Sequence, residues 1–196
     1  MALQAMWVHG TSFRSEWVGD NLLKVPGTRH DGSNGDVNWS DVNGLPRGWG
    51  ATFRGRRSLF AGFVGAIHTG PPDVADPFRY SLKGYWFHVP IPTPVIRDGR
   101  RSTLLRVFVL WEATGGVSPA VLHVWDGPIR IEMFPFTHGA TGRCGHNGVA
   151  DLVDGVTRFN LPAAREVLFG LALSVGVYFQ EDGNITFCTA GADFDV

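Results

Sequence analysis

Pro90, Pro92 and Pro94 occupy alternate positions in the apolar run Trp86–Ile96 (WFHVPIPTPVI). Proline has no backbone N–H and cannot sit where a sheet needs a donor. In an extended chain, alternate residues turn their N–H groups to the same edge. All three prolines therefore delete donors from one edge only, while Val89, Ile91, Thr93 and Val95 can pair on the other. The run is predicted to be an edge strand blunted on one side. After the polar turn at 97–101 comes Leu104–Trp111 (LLRVFVLW). Alternation there puts Leu104, Phe108 and Leu110 on one face with Arg106, and Leu105, Val107, Val109 and Trp111 on the other. Apolar residues on both faces predict a central strand inside a two-layer structure.

The rest of the chain agrees with this β texture. There are 196 residues, 44 % apolar and 18 % charged, with 26 glycines and 12 prolines between short apolar runs. That composition predicts an all-β domain, a two-layer antiparallel β-sandwich of jelly-roll-like form, with a closed β-barrel as the alternative. Residues 1–196 read as one domain carrying long inserted loops at about 27–47 and 69–84, both rich in Gly, Asn, Asp or Pro. Asp36, Asn38, Ser40 and Asp41 hint at a calcium loop, but Asp41 and Arg47 stand where an EF-hand needs Gly and Glu.

Strands are predicted at 3–9 and 156–161, with one more strand and a short second element within 48–68. Trp17, Val18, Leu22 and Leu23 suggest a short amphipathic turn. Residues 120–125 and 128–134 flank Asp126-Gly127, the signature of a two-residue hairpin turn. The predicted register pairs Val124 with Ile129, Leu122 with Ile131 and His123 with Arg130. It leaves His123, Trp125, Arg130 and Glu132 on the outer face. In 168–179, Phe169, Leu171, Leu173, Val175, Val177 and Phe179 share one face. The opposite face is lined by Gly170, Ala172, Ser174, Gly176 and Tyr178. A last strand is expected at Ile185–Thr189, closed by the tail AGADFDV.

Residues 5–10 (AMWVHG), 48–53 (GWGATF), 86–96 (WFHVPIPTPVI) and 187–194 (FCTAGADF), with the Asp126-Gly127-Pro128 hairpin, resemble a family of small bacterial and fungal all-β proteins of unknown function. The resemblance spans most of the chain and implies membership without implying an activity or catalytic residues. The members are shorter, so the loops at 27–47 and 69–84 look like additions.

Net charge is −1, from 17 basic and 18 acidic residues. No overall field draws in nucleic acid or a membrane surface, and Arg54, Arg56, Arg57, Arg100 and Arg101 are a weak footprint. No run approaches a membrane span, and the N-terminus MALQAMW lacks the basic and apolar regions of a signal peptide. A cytoplasmic protein is expected. Cys188 in its apolar run reads as a buried thiol; Cys144 lies in a glycine-rich loop, and a bridge between the two stays open.

No catalytic signature occurs. Ser174 lacks the first glycine of Gly-x-Ser-x-Gly and lies inside a predicted strand. His138, Cys144 and His146 share a loop and offer three N/S ligands, but their spacing matches no zinc motif, so no metal and no cofactor is expected. Arg143 and His146 would lower the pKa of a Cys144 thiol. His123 and Glu132 on the outer hairpin face, with His88, are the acid–base candidates. The small-residue face of 168–178 leaves space for a ligand, rimmed by Trp86, His88, Trp125, Arg130 and Tyr178. The expected function is binding of a small molecule or glycan. The alternatives are a cofactor-free cyclase or isomerase and a protein-interaction or homo-oligomeric module. The prolines argue against strand addition along their edge.

Overall fold

The computed structural model describes residues 3–16, 22–24, 51–55, 84–97, 99–144, 148–179, 181 and 183–196. The first sheet contains β1 (Leu3–His9), β3 (Leu22–Lys24), β4 (Ala51–Gly55), β8 (Thr103–Thr114), β11 (Arg158–Glu166) and β13 (Gly183–Asp195). Its order is β11-β8-β13-β4-β3, with β1 lying along the C-terminal half of β13. The second sheet contains β2 (Arg14–Ser15), β5 (Gly84–Ile91), β9 (Val117–Asp126), β10 (Ile129–Pro135) and β12 (Leu171–Phe179), in the order β10-β9-β12-β5-β2. A small ribbon of β6 (Ile96–Arg97) and β7 (Arg100–Arg101) lies on the crossing from β5 to β8. All these strand pairs are antiparallel and neither sheet closes on itself, so the fold is an open β-sandwich and the barrel alternative is set aside.

The proline run behaves as its chemistry dictates. Val89 and Ile91 pair with Leu173 and Leu171 of β12. Among the described residues the opposite edge of β5 meets only β2, at Phe87 and His88, with Glu16 N–H donating to Trp86 C=O at 2.9 Å. Partnering on that edge stops where Pro90 begins, and β5 itself ends at Ile91. Beyond it, Thr93 Oγ1 accepts the Leu171 N–H and Val95 C=O accepts the Ser102 N–H.

Between the sheets lies one apolar core. From β12 it takes Leu171, Leu173, Val175, Val177 and Phe179, all at most 3 % exposed. Phe13 stacks on Phe187 with ring centroids 4.1 Å apart, and Phe87 meets Phe187 and Phe53 at 5.1 and 4.7 Å. Each such ring contributes about 1.5–3 kcal/mol by burial, and truncating one to alanine costs about 3–5 kcal/mol.

β8 is apolar on both faces for two different reasons. Val107, Val109 and Trp111 enter the main core. Phe108 and Leu110 face outward and are covered by a second cluster with Leu152, Cys144 and Cys188. Trp7 of β1 stacks on Phe108 at 4.9 Å. Cys144 and Cys188 form a disulfide with Cα atoms 5.5 Å apart, so Cys188 is buried as a cystine and not as a thiol. The bridge fastens the loop after β10 to the outer face of the first sheet.

Several local expectations shift. Leu104 joins the main core instead of sharing a face with Phe108, because β8 bulges between residues 104 and 106 where it pairs with β13. The β9–β10 turn is Gly127-Pro128, with Asp126 paired to Ile129, and a second bulge at Ile131 moves the register again. Leu122 and Val124 are core as expected, while Ile129 is exposed. Phe169 precedes β12 and is exposed. Leu22 and Leu23 belong to β3 instead of an amphipathic turn. The last strand runs thirteen residues through the tail, in the centre of its sheet. Gly191 permits this: a Cβ there would lie 2.6 Å from Met6 C=O and 2.7 Å from the Trp7 ring. The expectations for Trp17, Val18 and the loops at 27–47 and 69–84 fall outside the described residues, apart from Gly84, the first residue of β5.

Candidate functional site

The outer face of the second sheet carries the polar and aromatic groups. Register places Arg14, His88, Ser174, His123 and Met133 side by side across β2, β5, β12, β9 and β10. The next row on one side is Pro90, Ala172, Trp125 and Arg130. On the other side lie Trp86, Gly176 and Val121. Period-2 alternation sends these residues outward because their neighbours in sequence fill the core. Ala172 and Gly176 add little bulk between the large rings, so the indoles of Trp86 and Trp125 flank His123.

His123 is the centre of this aromatic group. Its ring lies 4.6 Å from that of Trp86, tilted by 39°, and 6.1 Å from that of Trp125, edge to face. Burial, with a smaller contribution from the Arg130 guanidinium, pushes its pKa down to about 4. At neutral pH it is therefore an uncharged ring, able to donate from one nitrogen and accept at the other. Trp125 Nε1 is buried and has no hydrogen-bond partner among the described residues. An unmet buried donor of this kind costs about 1–3 kcal/mol, and an oxygen brought by a ligand would satisfy it.

Beside the rings runs a polar chain. Ser174 Oγ and His88 Nδ1 are 2.8 Å apart, and His88 Nε2 lies 3.8 Å from Glu16 Oε2. Ser174 is buried, whereas the His88 and Glu16 side chains are about half exposed. With the His88 proton on Nε2, Nδ1 accepts the Ser174 hydroxyl and Nε2–H points toward the Glu16 carboxylate. The arrangement can bind a hydroxyl or pass a proton toward solvent.

Of the residues expected at a site, Trp86, His88, His123, Trp125 and Arg130 come together here. Tyr178 does not: it pairs with Ser118 and Gly84, toward the opposite end of the sheet. Glu132 also misses. The bulge at Ile131 sets Glu132 opposite Val124 and gives His123 Met133 as its neighbour. Glu132 Oε1 instead accepts the Met133 N–H at 2.9 Å. His123 and Glu132 are therefore not neighbours, and the polar groups that do meet here are His88, Ser174 and Glu16. Glu16 and Arg14 carry no motif, and only the pairing of β2 with β5 brings them in.

The loop metal set is not assembled. Cys144 is bonded to Cys188 and has no thiolate to offer, which also removes it as an activated nucleophile. His138 is exposed, and His146 falls outside the described residues. Among the described residues no group of three or more His, Cys, Asp or Glu is placed to hold a metal ion. Nor is any described helix long and apolar enough to cross a membrane. No protein-family model matches the chain, and no curated protein or solved structure is similar to it at the level of a significant match.

Proposed function

We propose that the protein binds a small hydroxylated molecule or a glycan on the outer face of its second sheet. The observation that carries this reading is the neutral His123 set between Trp86 and Trp125, in the same row as the Ser174–His88 hydrogen bond. The partly exposed Trp125 indole stacks on the apolar face of a sugar ring, with Trp86 buried behind His123, while Ser174, His88 and the unmet Trp125 N–H take hydroxyl groups. Arg130 adds a donor at the rim. The family resemblance of the sequence motifs remains part of this proposal and brings no activity with it. A buried disulfide favours an oxidising compartment over the cytoplasm expected from the N-terminus.

The test is ligand-detected NMR with a panel of neutral hexose oligosaccharides. Saturation transfer from wild-type protein should fall at least about tenfold in Trp125→Ala and His88→Ala, a loss of one good contact. If the full panel shows no transfer, or if both variants bind as wild type, the reading is wrong.

A second reading rests on the Ser174–His88–Glu16 chain alone. There Ser174 Oγ attacks an activated ester, His88 takes its proton, and the alcohol leaves as the acyl group stays on Ser174. A fluorophosphonate probe that labels wild type, but neither Ser174→Ala nor His88→Ala, supports it; an unlabelled wild type refutes it.

A further inference from the structure

Five of the eight exposed large apolar side chains among the described residues gather at one end of the sandwich: Leu3, Ile96, Ile129, Leu168 and Phe169. The registers fix this. In one sheet Ile91, Leu171, Asp126 and Ile129 lie level; in the other, Glu166, Thr103, Asp195 and Leu3 do. The link from Val167 to Gly170 joins the two levels. The apolar groups thus sit on three neighbouring connections, the 92–102 crossing, the β9–β10 turn and the β11–β12 link, plus the start of β1. Ile96 and Phe169 are the most open, at 64 % and 63 %.

The end is also held rigidly. Buried Asp126 accepts the N–H groups of Leu168, Phe169 and Gly170 at 2.7, 2.8 and 2.9 Å. Arg101 donates to the carbonyls of Val167 and Leu168 at 3.3 and 3.2 Å, and Gly127 N–H donates to Gly170 C=O. A Cβ on Gly127 would come within 2.8 Å of Phe169 Cβ, so the hairpin turn abuts the Phe169 stem. With its backbone pinned by these bonds, the link keeps Leu168 and Phe169 turned outward. Exposed apolar groups on a fixed scaffold mark a surface that meets a partner.

Charge selects the partner. Arg97, Arg100, Arg101, Arg130 and Arg165 are exposed around these tips. Arg100, Arg130 and Arg165 form no ion pair with a described residue. The facing described carboxylates are Glu166 and Asp195, while that of Asp126 is buried and fully engaged. Among the described residues these tips therefore carry more guanidinium than carboxylate, although the chain-wide charge is −1. The apolar groups stand on three connections and the start of β1, beside exposed guanidinium groups that suit an anionic surface.

We propose that this end docks on an anionic lipid surface, with Phe169, Leu168 and Ile96 inserted among the headgroups and the surrounding arginines on lipid phosphates. The residues differ from those of the proposed ligand site, Arg130 apart, so either idea can fail alone. The test is co-sedimentation of the full chain with vesicles of phosphatidylcholine, with and without added phosphatidylserine. Wild type should bind the phosphatidylserine vesicles selectively and lose binding as salt rises. Phe169→Asp should weaken binding about tenfold or more. Arg100→Gln and Arg165→Gln should each weaken it about fivefold. All three positions are exposed, and unchanged melting temperatures confirm intact folds. Equal binding to both vesicle types, or none, overturns the proposal. So does a wild-type dimer that Phe169→Asp converts to monomer without any vesicle binding, which would assign the surface to a second copy of the chain.

Discussion

Asp126 offers a direct test of how the exposed end of the sandwich is held. Its Oδ2 accepts Leu168 N–H at 2.7 Å, and its Oδ1 accepts Phe169 and Gly170 N–H at 2.8 and 2.9 Å. Burial by itself raises the carboxyl pKa, but the bonds from Gly170, Leu168 and Phe169, helped by the Arg101 charge, outweigh it and hold the group below its ordinary value. Asp126→Asn keeps the carbonyl oxygen for Phe169 and Gly170. Its NH2 group then faces the Leu168 N–H, donor against donor. The loss is one charge-assisted bond, about 1.5–3 kcal/mol. Asp126→Ala removes all three acceptor contacts and leaves three N–H groups at a partly wet loop, about 3–5 kcal/mol in all. Urea unfolding, with midpoints compared at constant slope, should rank wild type above Asn and Asn above Ala. The sign with pH follows from the depressed pKa. The stability from the carboxylate is present above the unfolded value of about 3.9 and is lost as pH falls through the folded value. The gap between wild type and Asp126→Asn should therefore close below about pH 4. Equal midpoints for wild type and Asp126→Asn, or a gap that persists unchanged into strong acid, would refute the reasoning.

His123 runs the other way. Its ring is neutral in the folded protein down to about pH 4, whereas the unfolded ring takes a proton near 6.5. Stability should fall as pH drops from about 6.5 to 4. The full effect of about 3 kcal/mol reduces to about 1–2 for a partly solvated ring. His123→Phe should flatten that part of the curve, and an unchanged curve counts against a buried neutral histidine. The Cys144–Cys188 bridge spans 44 positions, for which chain entropy predicts up to about 4 kcal/mol. The double Cys→Ala variant should melt lower and become insensitive to reductant, and two thiols titrating in native wild type would contradict the bridge. Gly10→Ala places a Cβ 1.9 Å from the Phe187 carbonyl oxygen. Backbone must move to admit it, so a loss of about 1–3 kcal/mol is expected in the unfolding midpoint, and a neutral result would mean β1 is held less closely to β13.

The strands were readable wherever their signal was local. Alternation along 171–179 and the three prolines after Phe87 required no partner to interpret. The hairpin was legible as a hairpin, yet its register was not. A Gly127-Pro128 turn and a bulge at Ile131 each displace the pairing, and neither leaves a periodic trace. The length of β13 was hidden because Ala190-Gly191-Ala192 looks like loop chemistry until Trp7 is seen packed across it. The exposed Phe169 looked like core because its parity matches that of Leu171. What removes it is the bonding of Asp126, 43 positions away, to its backbone.

By itself the sequence determined the class of fold, the blunted edge at Pro90 and the presence of aromatic and histidine side chains on an outer strand face. These depend on donors, parity and side-chain size, which are properties of short segments. Which of those side chains meet was decided by tertiary structure alone. His88, Ser174 and Glu16 are neighbours because β2, β5 and β12 lie side by side in one register, and the choice between Glu132 and Met133 beside His123 turned on a single bulged residue. A sheet's period of two makes a face easy to read and a neighbour impossible to read, because a shift of one residue exchanges every contact.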